Sequence, residues 1–131
     1  MTAFLDTNVL VRHLTGDPPD QAAAASRLLA KADQRLLADL ILAEIAYVLE
    51  SVYEAARPEV AVALRAILGF STIDVIDRDL LHRAVEVYEH DRLGFAEAYL
   101  IAAAERSGVA AIVSFDRSID RVGTIRRIEP T

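Results

Sequence analysis

The sequence predicts an α/β fold built on a mainly parallel sheet, and three observations predict it. Short strand-like apolar runs alternate with longer runs whose apolar residues recur at helical spacing, the signature of successive β-α units. Polar turn residues and glycine punctuate the alternation, as in "TGDPPD" at residues 15–20 and at Leu93-Gly94. A length of 131 residues with 53% hydrophobic content, 5 Gly and 4 Pro fits one packed core rather than a disordered or fibrous chain. The expectation is a single domain over residues 1–131, with a central sheet of four to five strands flanked by helices.

The elements follow in order. "TAFLD" reads as the first strand and "NVLVRHL" as the start of the first helix. A second helix runs from Gln21 to Ala32. "RLLAD" is a short second strand, with Asp39 as the obvious cap for the helix "LILAEIAYVLESVY". Pro58 opens a further helix that Gly69 closes, and "STIDVID" makes the third strand. Asp77 or Asp79 caps "RDLLHRAVEVYEHD", and after Leu93-Gly94 comes the apolar helix "FAEAYLIAAAERSG". "VAAIVSFD" is the fourth strand and "GTIRRIE" a short edge strand. No internal repeat or linker interrupts the series.

Composition narrows the function classes. The chain has no cysteine, which excludes disulfides and thiolate metal sites and fits a reducing compartment, the cytoplasm being the simplest placement. No secretory leader is visible, and every apolar run stops short of the roughly 18 to 20 residues a membrane span needs, so a soluble, unexported protein is expected. A net charge of −6 argues against general capture of nucleic acid by a basic surface. A metal ion among clustered carboxylates would offset that field locally, and 13 of the 14 basic residues are Arg, the better fork for phosphate oxygens.

Four carboxylates stand out by position. Asp6 and Asp116 lie where strands end, in "FLDTN" and "VSFDRS", and open parallel sheets place their ligand sites at the carboxyl ends of strands. Each also suits a helix or turn cap. Glu44 has Leu40, Ile41, Tyr47 and Val48 at helical spacing, which places it on a face expected to be buried. Burying a carboxylate is costly without a cation or hydrogen bonds, and the alternative is a boundary residue that reaches solvent or pairs with an arginine. Glu97 is similarly surrounded by Leu93, Leu100 and Ile101, although with Gly94 as cap it also fits the third position of a capping box. If these acids converge they repel one another unless a cation lies between them. All-oxygen ligation suits Mg²⁺ or Mn²⁺, ions that lower the pKa of bound water and stabilise charge building on a phosphoryl oxygen. The chemistry implied is phosphodiester hydrolysis.

At these residues the chain resembles the PIN-domain family, and most closely the VapC-type toxin ribonucleases of bacterial toxin–antitoxin pairs. The likeness runs through "FLDTNVLVRHL", "DLILAEIAYVLE", "GFAEAYLIAAAERSG" and "AAIVSFDRSID", in that order. It implies a single PIN-like domain in which Asp6, Glu44, Glu97 and Asp116 are the catalytic, metal-binding acids. It further implies an Mg²⁺- or Mn²⁺-dependent endoribonuclease that inhibits growth or translation, a small cognate antitoxin protein, and a homodimer formed through helical surfaces. The family usually has Asp where this chain has Glu97, and often a further acid where Gly94 stands.

Supporting roles fall to neighbouring polar residues. Thr7 and Ser114 suit hydrogen bonding to metal-bound water or to a carboxylate, Asn8 suits holding the loop after the first strand, and Asp120 faces Asp116 if that segment is helical. Arg12, Arg92 and Arg117 lie nearer the acids in sequence than most other arginines and are candidates for phosphate contact, against the alternative that each sits on a solvated helix face. His13, His82 and His90 form no metal-type pair and read as surface or boundary residues. The competing classes are a PIN-like module that binds RNA or protein without cleaving, which Glu97 keeps open, and a receiver-type signalling domain. The latter generally needs a lysine near a late strand, and Lys31 lies far too early. A phosphatase with an aspartate nucleophile would want a second acid where Asn8 follows Asp6-Thr7.

Overall fold

The computed structural model describes residues 2–131, and their contacts group them into two units, one running to Ile76 and the other Asp77–Thr131. In the first unit, β1 (Ala3–Phe4), β2 (Arg35–Leu36) and β3 (Ile73–Asp74) form a parallel sheet in that spatial order, with Ala3 opposite Arg35 and Arg35 opposite Ile73. Each parallel step needs a crossover, and helices supply it: α1 (Thr7–Thr15) and α2 (Pro19–Leu29) between β1 and β2, then α3 (Asp39–Ser51) and α4 (Arg57–Leu68) between β2 and β3.

The helix boundaries follow from local chemistry. Asp6 caps α1, its Oδ1 accepting from the Thr7 N–H at 2.8 Å, and Gly16 ends the helix at φ +72°, a conformation glycine adopts freely. α2 begins at Pro19 rather than at Gln21, because proline is suited to a first turn in which its missing N–H would have no partner. α3 is capped by Ala38 and not by Asp39, which takes the first helical position, where its charge complements the helix dipole. α4 starts at Arg57 with Pro58 in its first turn and buries Val60, Ala61, Leu64, Ile67 and Leu68, a stripe of one face at the helical period.

The second unit holds α5 (Arg78–His90), α6 (Phe95–Ser107), β4 (Ala111–Val113), a 3-10 turn (Arg117–Arg121) and β5 (Arg126–Ile128). Of the two candidate caps, Asp77 serves α5, accepting from the Leu80 N–H at 3.1 Å. Gly94 precedes α6 and Gly108, at φ +80°, ends it. α5 packs along α6, burying Leu81, Ala84, Val85 and Tyr88 together with Ala98, Ile101 and Ala102. Tyr88 meets Phe95 edge to face at 6.1 Å between ring centroids. β4 and β5 pair in parallel from Ala111–Arg126 to Val113–Ile128.

The strands are shorter than the sequence runs. "TAFLD" pairs only at Ala3–Phe4 and "STIDVID" only at Ile73–Asp74, because the residues that follow leave the ladder to enter or cap a helix. Flanking hydrogen bonds extend the pairing, with the Leu5 N–H donating to the Leu36 carbonyl at 2.8 Å and the Leu37 N–H to the Asp74 carbonyl at 2.9 Å. Among the described residues, the five strands form hydrogen-bonded groups of three and two, every neighbouring pair parallel. No helix of the described residues is long and apolar enough to cross a membrane.

Candidate active site

In the first unit, Thr7 joins two of the acids. It is buried at 4% exposure, and as the first residue of α1 it donates twice: its N–H to Asp6 Oδ1 at 2.8 Å and its Oγ1 hydroxyl to Glu44 Oε2 at 2.8 Å. The contact spans 37 positions of sequence. Both carboxylates are otherwise exposed, which corrects the expectation that Glu44 lies on a buried face. α3 is apolar nearly all round, and the face it buries carries Leu42, Ile45, Ala46 and Leu49. The neighbours that made Glu44 look buried include Leu40 and Tyr47, which are 77% and 70% exposed.

One turn along α1, Asn8 and Arg12 line an open cleft of about 500 Å³ between α1 and α2, together with Val9, Gln21, Ala25 and Leu28. Arg12 donates its Nε–H to Gln21 Oε1. His13 is half-buried, with Nδ1 2.8 Å from Ser26 Oγ and its ring edge-on to Phe70, while His82 and His90 are exposed.

In the second unit, Asp116 stands past the end of β4 and caps the 3-10 turn. Its Oδ1 accepts from the Ser118 Oγ hydroxyl at 2.6 Å and from the Ser118 N–H at 2.9 Å, and its own N–H donates to Ser114 Oγ at 2.9 Å. The Ser118 hydroxyl and N–H hold the Asp116 carboxyl below the usual aspartate range, with help from the positive charges of Arg121 and Arg127. Asp116 is exposed and stays ionised at neutral pH. Asp120 is engaged by Arg127, whose Nε reaches Oδ1 at 3.0 Å and whose Nη2 reaches Oδ2 at 3.3 Å. Arg127 Nη1 also donates to the Ser114 carbonyl and to Glu129 Oε1, each at 3.0 Å. One mostly buried guanidinium thereby ties β5 to both flanks of the Asp116 loop.

Glu97 is half-buried in the first turn of α6. Its carboxylate folds back over the helix start, so that a Cβ built on Gly94 would lie 2.5 Å from Glu97 Oε2. Among the described residues, no three His, Cys, Asp or Glu side chains form a group that could hold a metal ion. The structure links Asp6 with Glu44 through Thr7, surrounds Asp116 with Ser114 and Ser118, and pairs Asp120 with Arg127. Sequence reasoning missed Ser118 and Arg127. The Asp-x-Ser spacing at residues 116–118 is a recognisable turn signal for Ser118. Nothing local marks Arg127, which acts across a sheet.

Carboxylate oxygens are the donors that a hard divalent cation takes. Asp6, Glu44, Glu97 and Asp116 offer only carboxylate oxygens, and the hydroxyls of Thr7 and Ser118 orient two of them.

A model of the PIN domain family matches residues 3–125. The chain belongs to the PIN-domain family. Solved structures similar to this PIN domain include Mycobacterium tuberculosis VapC20, described as a toxin that cleaves the sarcin-ricin loop. It is 20% identical, with 95% of this chain and 98% of that chain covered and a TM-score of 0.45. Another is VapBC2 of Rickettsia felis, bound to a DNA fragment from its promoter, at 20% identity, with 98% of both chains covered and a TM-score of 0.39. No curated protein matches the sequence.

Proposed function

We propose that this PIN domain, a single nuclease domain over residues 1–131, is a divalent-metal-dependent endoribonuclease that hydrolyses RNA phosphodiester bonds. The observation that carries the reading is the family match over residues 3–125, within which Thr7 couples the first two acids of the family pattern. Asp6, Glu44, Glu97 and Asp116 are the residues that hold Mg²⁺ or Mn²⁺. The ion supplies positive charge that offsets these carboxylates and the phosphate of the substrate. Thr7 hydrogen-bonds to both Asp6 and Glu44, and Ser118 holds the Asp116 carboxylate in place.

Substrate binding is assigned to the α1 surface beside Asp6. Asn8 and Arg12 lie four residues apart on one helical face and line the same cleft, so a phosphate of the RNA backbone meets a guanidinium and an amide near the reacting centre. Arg92 and Arg117 are exposed and complete the set of candidate phosphate contacts. On the resemblance of its four motif stretches to VapC-type toxin ribonucleases, we assign it the role of the toxin of a toxin–antitoxin pair. Its partners are then RNA and a small cognate antitoxin protein, it acts in the cytoplasm to inhibit growth or translation, and it forms a homodimer.

A second reading, a PIN module that binds without cleaving, is favoured by Glu97 standing where the family pattern has Asp, and by the absence of a three-acid group among the described residues. The deciding assay is cleavage of RNA by the purified protein with added Mg²⁺ or Mn²⁺, beside an Asp6→Asn variant whose circular dichroism matches the parent. Cleavage that needs the ion and drops at least 100-fold in the variant supports hydrolysis through these acids. Equal cleavage by both proteins removes the assignment, and retained RNA binding with no cleavage selects the second reading.

A further inference from the structure

The arginines of the second unit divide into two groups. Arg83, Arg106 and Arg127 each hold a carboxylate. Among the described residues, Arg92, Arg117 and Arg121 have no carboxylate oxygen within ion-pair distance, and all three are exposed. The fold brings two of them together across 29 positions of sequence: Arg121 Nη1 donates to the Arg92 carbonyl at 3.0 Å and to the Asp91 carbonyl at 3.4 Å. Those carbonyls belong to the loop that ends α5, and Arg121 is the last residue of the 3-10 turn that Asp116 caps. Its Nε and Nη2 are left to donate elsewhere.

The backbone of Arg92 is a second, independent sign. It has φ +60°, the left-handed conformation that usually falls to glycine just after a helix C-cap, yet the chain carries a long cationic side chain there. A positive charge suits the C-terminus of α5, which accounts for Arg92 alone. It does not account for a second guanidinium drawn onto the same loop, where like charges repel unless an anion comes between them. Arg117 adds a third charge at the start of the turn, next to Asp116.

We propose that Arg92, Arg117 and Arg121 form a clamp for the phosphodiester backbone of an RNA strand, in which Arg121 also holds the Arg92 loop against the Asp116 turn. The inference rests on the ribonuclease reading and deepens it, adding Arg121 as a residue that both contacts phosphate and positions Arg92. A guanidinium presents a planar fork of donors to two phosphate oxygens. Such contacts carry no base information, so the clamp sets affinity and register rather than sequence preference. The strand it holds runs past Asp116, one of the proposed catalytic acids.

Binding of a fluorescein-labelled single-stranded oligoribonucleotide, followed by anisotropy in EDTA over a salt series, tests the clamp without metal ion or cleavage. The proteins are the parent, Arg92→Met, Arg117→Met, Arg121→Met, Arg121→Lys, the Arg92→Met/Arg121→Met double variant, and Arg27→Met as a charge-matched control at an exposed position of α2, each with its thermal midpoint. Each methionine in the clamp is expected to weaken binding about threefold or more and to lower the slope of log affinity against log salt by about 0.7, while Arg27→Met stays close to the parent. Arg121→Lys, which keeps the charge, recovers most of the slope. Arg92→Met has a smaller effect in the Arg121→Met protein than in the parent, because the loop is already released. Losses no larger than in Arg27→Met overturn the clamp, since bulk charge then explains them, and weaker binding with an unchanged salt slope overturns the phosphate contacts. Additive losses at residues 92 and 121 overturn the holding role of Arg121. A parent that binds no RNA removes the inference, and whether that parent cleaves RNA with added ion decides the ribonuclease reading separately.

Discussion

Thr7 hydrogen-bonds to two of the acids at once, Asp6 through its backbone and Glu44 through its side chain. Its N–H and hydroxyl go to Asp6 and Glu44, and it is itself buried, so neither bond competes freely with water. Replacing it with valine keeps the shape and removes the hydroxyl, leaving Glu44 unrestrained. The Thr7→Val protein is expected to stay folded and to lose about 10- to 100-fold in Mn²⁺ affinity, read by titration calorimetry; parent-like affinity would show that Glu44 needs no such restraint. Of these three residues, Asp6 was legible in the sequence as a strand-end acid. The position of Glu44 was legible but its surroundings were not, because a helix as apolar as α3 has no polar face to say which side meets water. The Thr7–Glu44 bond lies beyond any local pattern, since only the packed fold brings residues so distant in sequence into contact.

Between elements, the same principle appears as ion pairs that fasten helices and strands. Arg83 on α5 grips Glu105 on α6 with Nε at 2.8 Å and Nη2 at 2.9 Å, and Thr124 adds a third bond to the same carboxylate. The bidentate hydrogen bonds from Arg83 hold the Glu105 carboxyl below the usual glutamate range. A carboxyl lowered in the folded state stabilises the fold above its unfolded value, near pH 4.3, and that contribution is lost as the pH falls through the folded value. Acid unfolding followed by circular dichroism should therefore show a loss of stability below about pH 4.3 that is smaller in a Glu105→Gln protein; identical acid profiles would exclude the pair as a contributor. Arg127 acts similarly on the Asp116 loop. Arg127→Met leaves Asp120 and the Ser114 carbonyl without their donor, and it is expected to lower the urea midpoint and to lower RNA cleavage more than RNA binding. Equal effects on both would mean the clamp is not tied to the loop. The caps at Asp6 and Asp77 were readable from residue type, and so was the order of strands and helices. Strand lengths were not, because apolar residues continue past the point where the backbone turns to enter a helix.

At the scale of the whole molecule, a PIN domain with a net charge of −6 that acts on RNA must overcome its own field. On the proposed function, local arginines such as Arg12 offset that field, so RNA affinity should fall steeply with salt and more gently in an Arg12→Ala protein; an unchanged salt slope in a filter-binding titration would take Arg12 out of the interface. The family was legible from four ordered sequence stretches, each of them loose alone, because together they specify which strand ends and helix faces carry acids. The central proposal is that Asp6, Glu44, Glu97 and Asp116 hold a divalent cation. Paramagnetic broadening by substoichiometric Mn²⁺ in an amide-resolved NMR spectrum tests it most directly. The account predicts that the signals of Asp6, Thr7, Glu44, Glu97 and Asp116 fade first and together; broadening scattered over the other surface acids, or sparing any of the four, would contradict it.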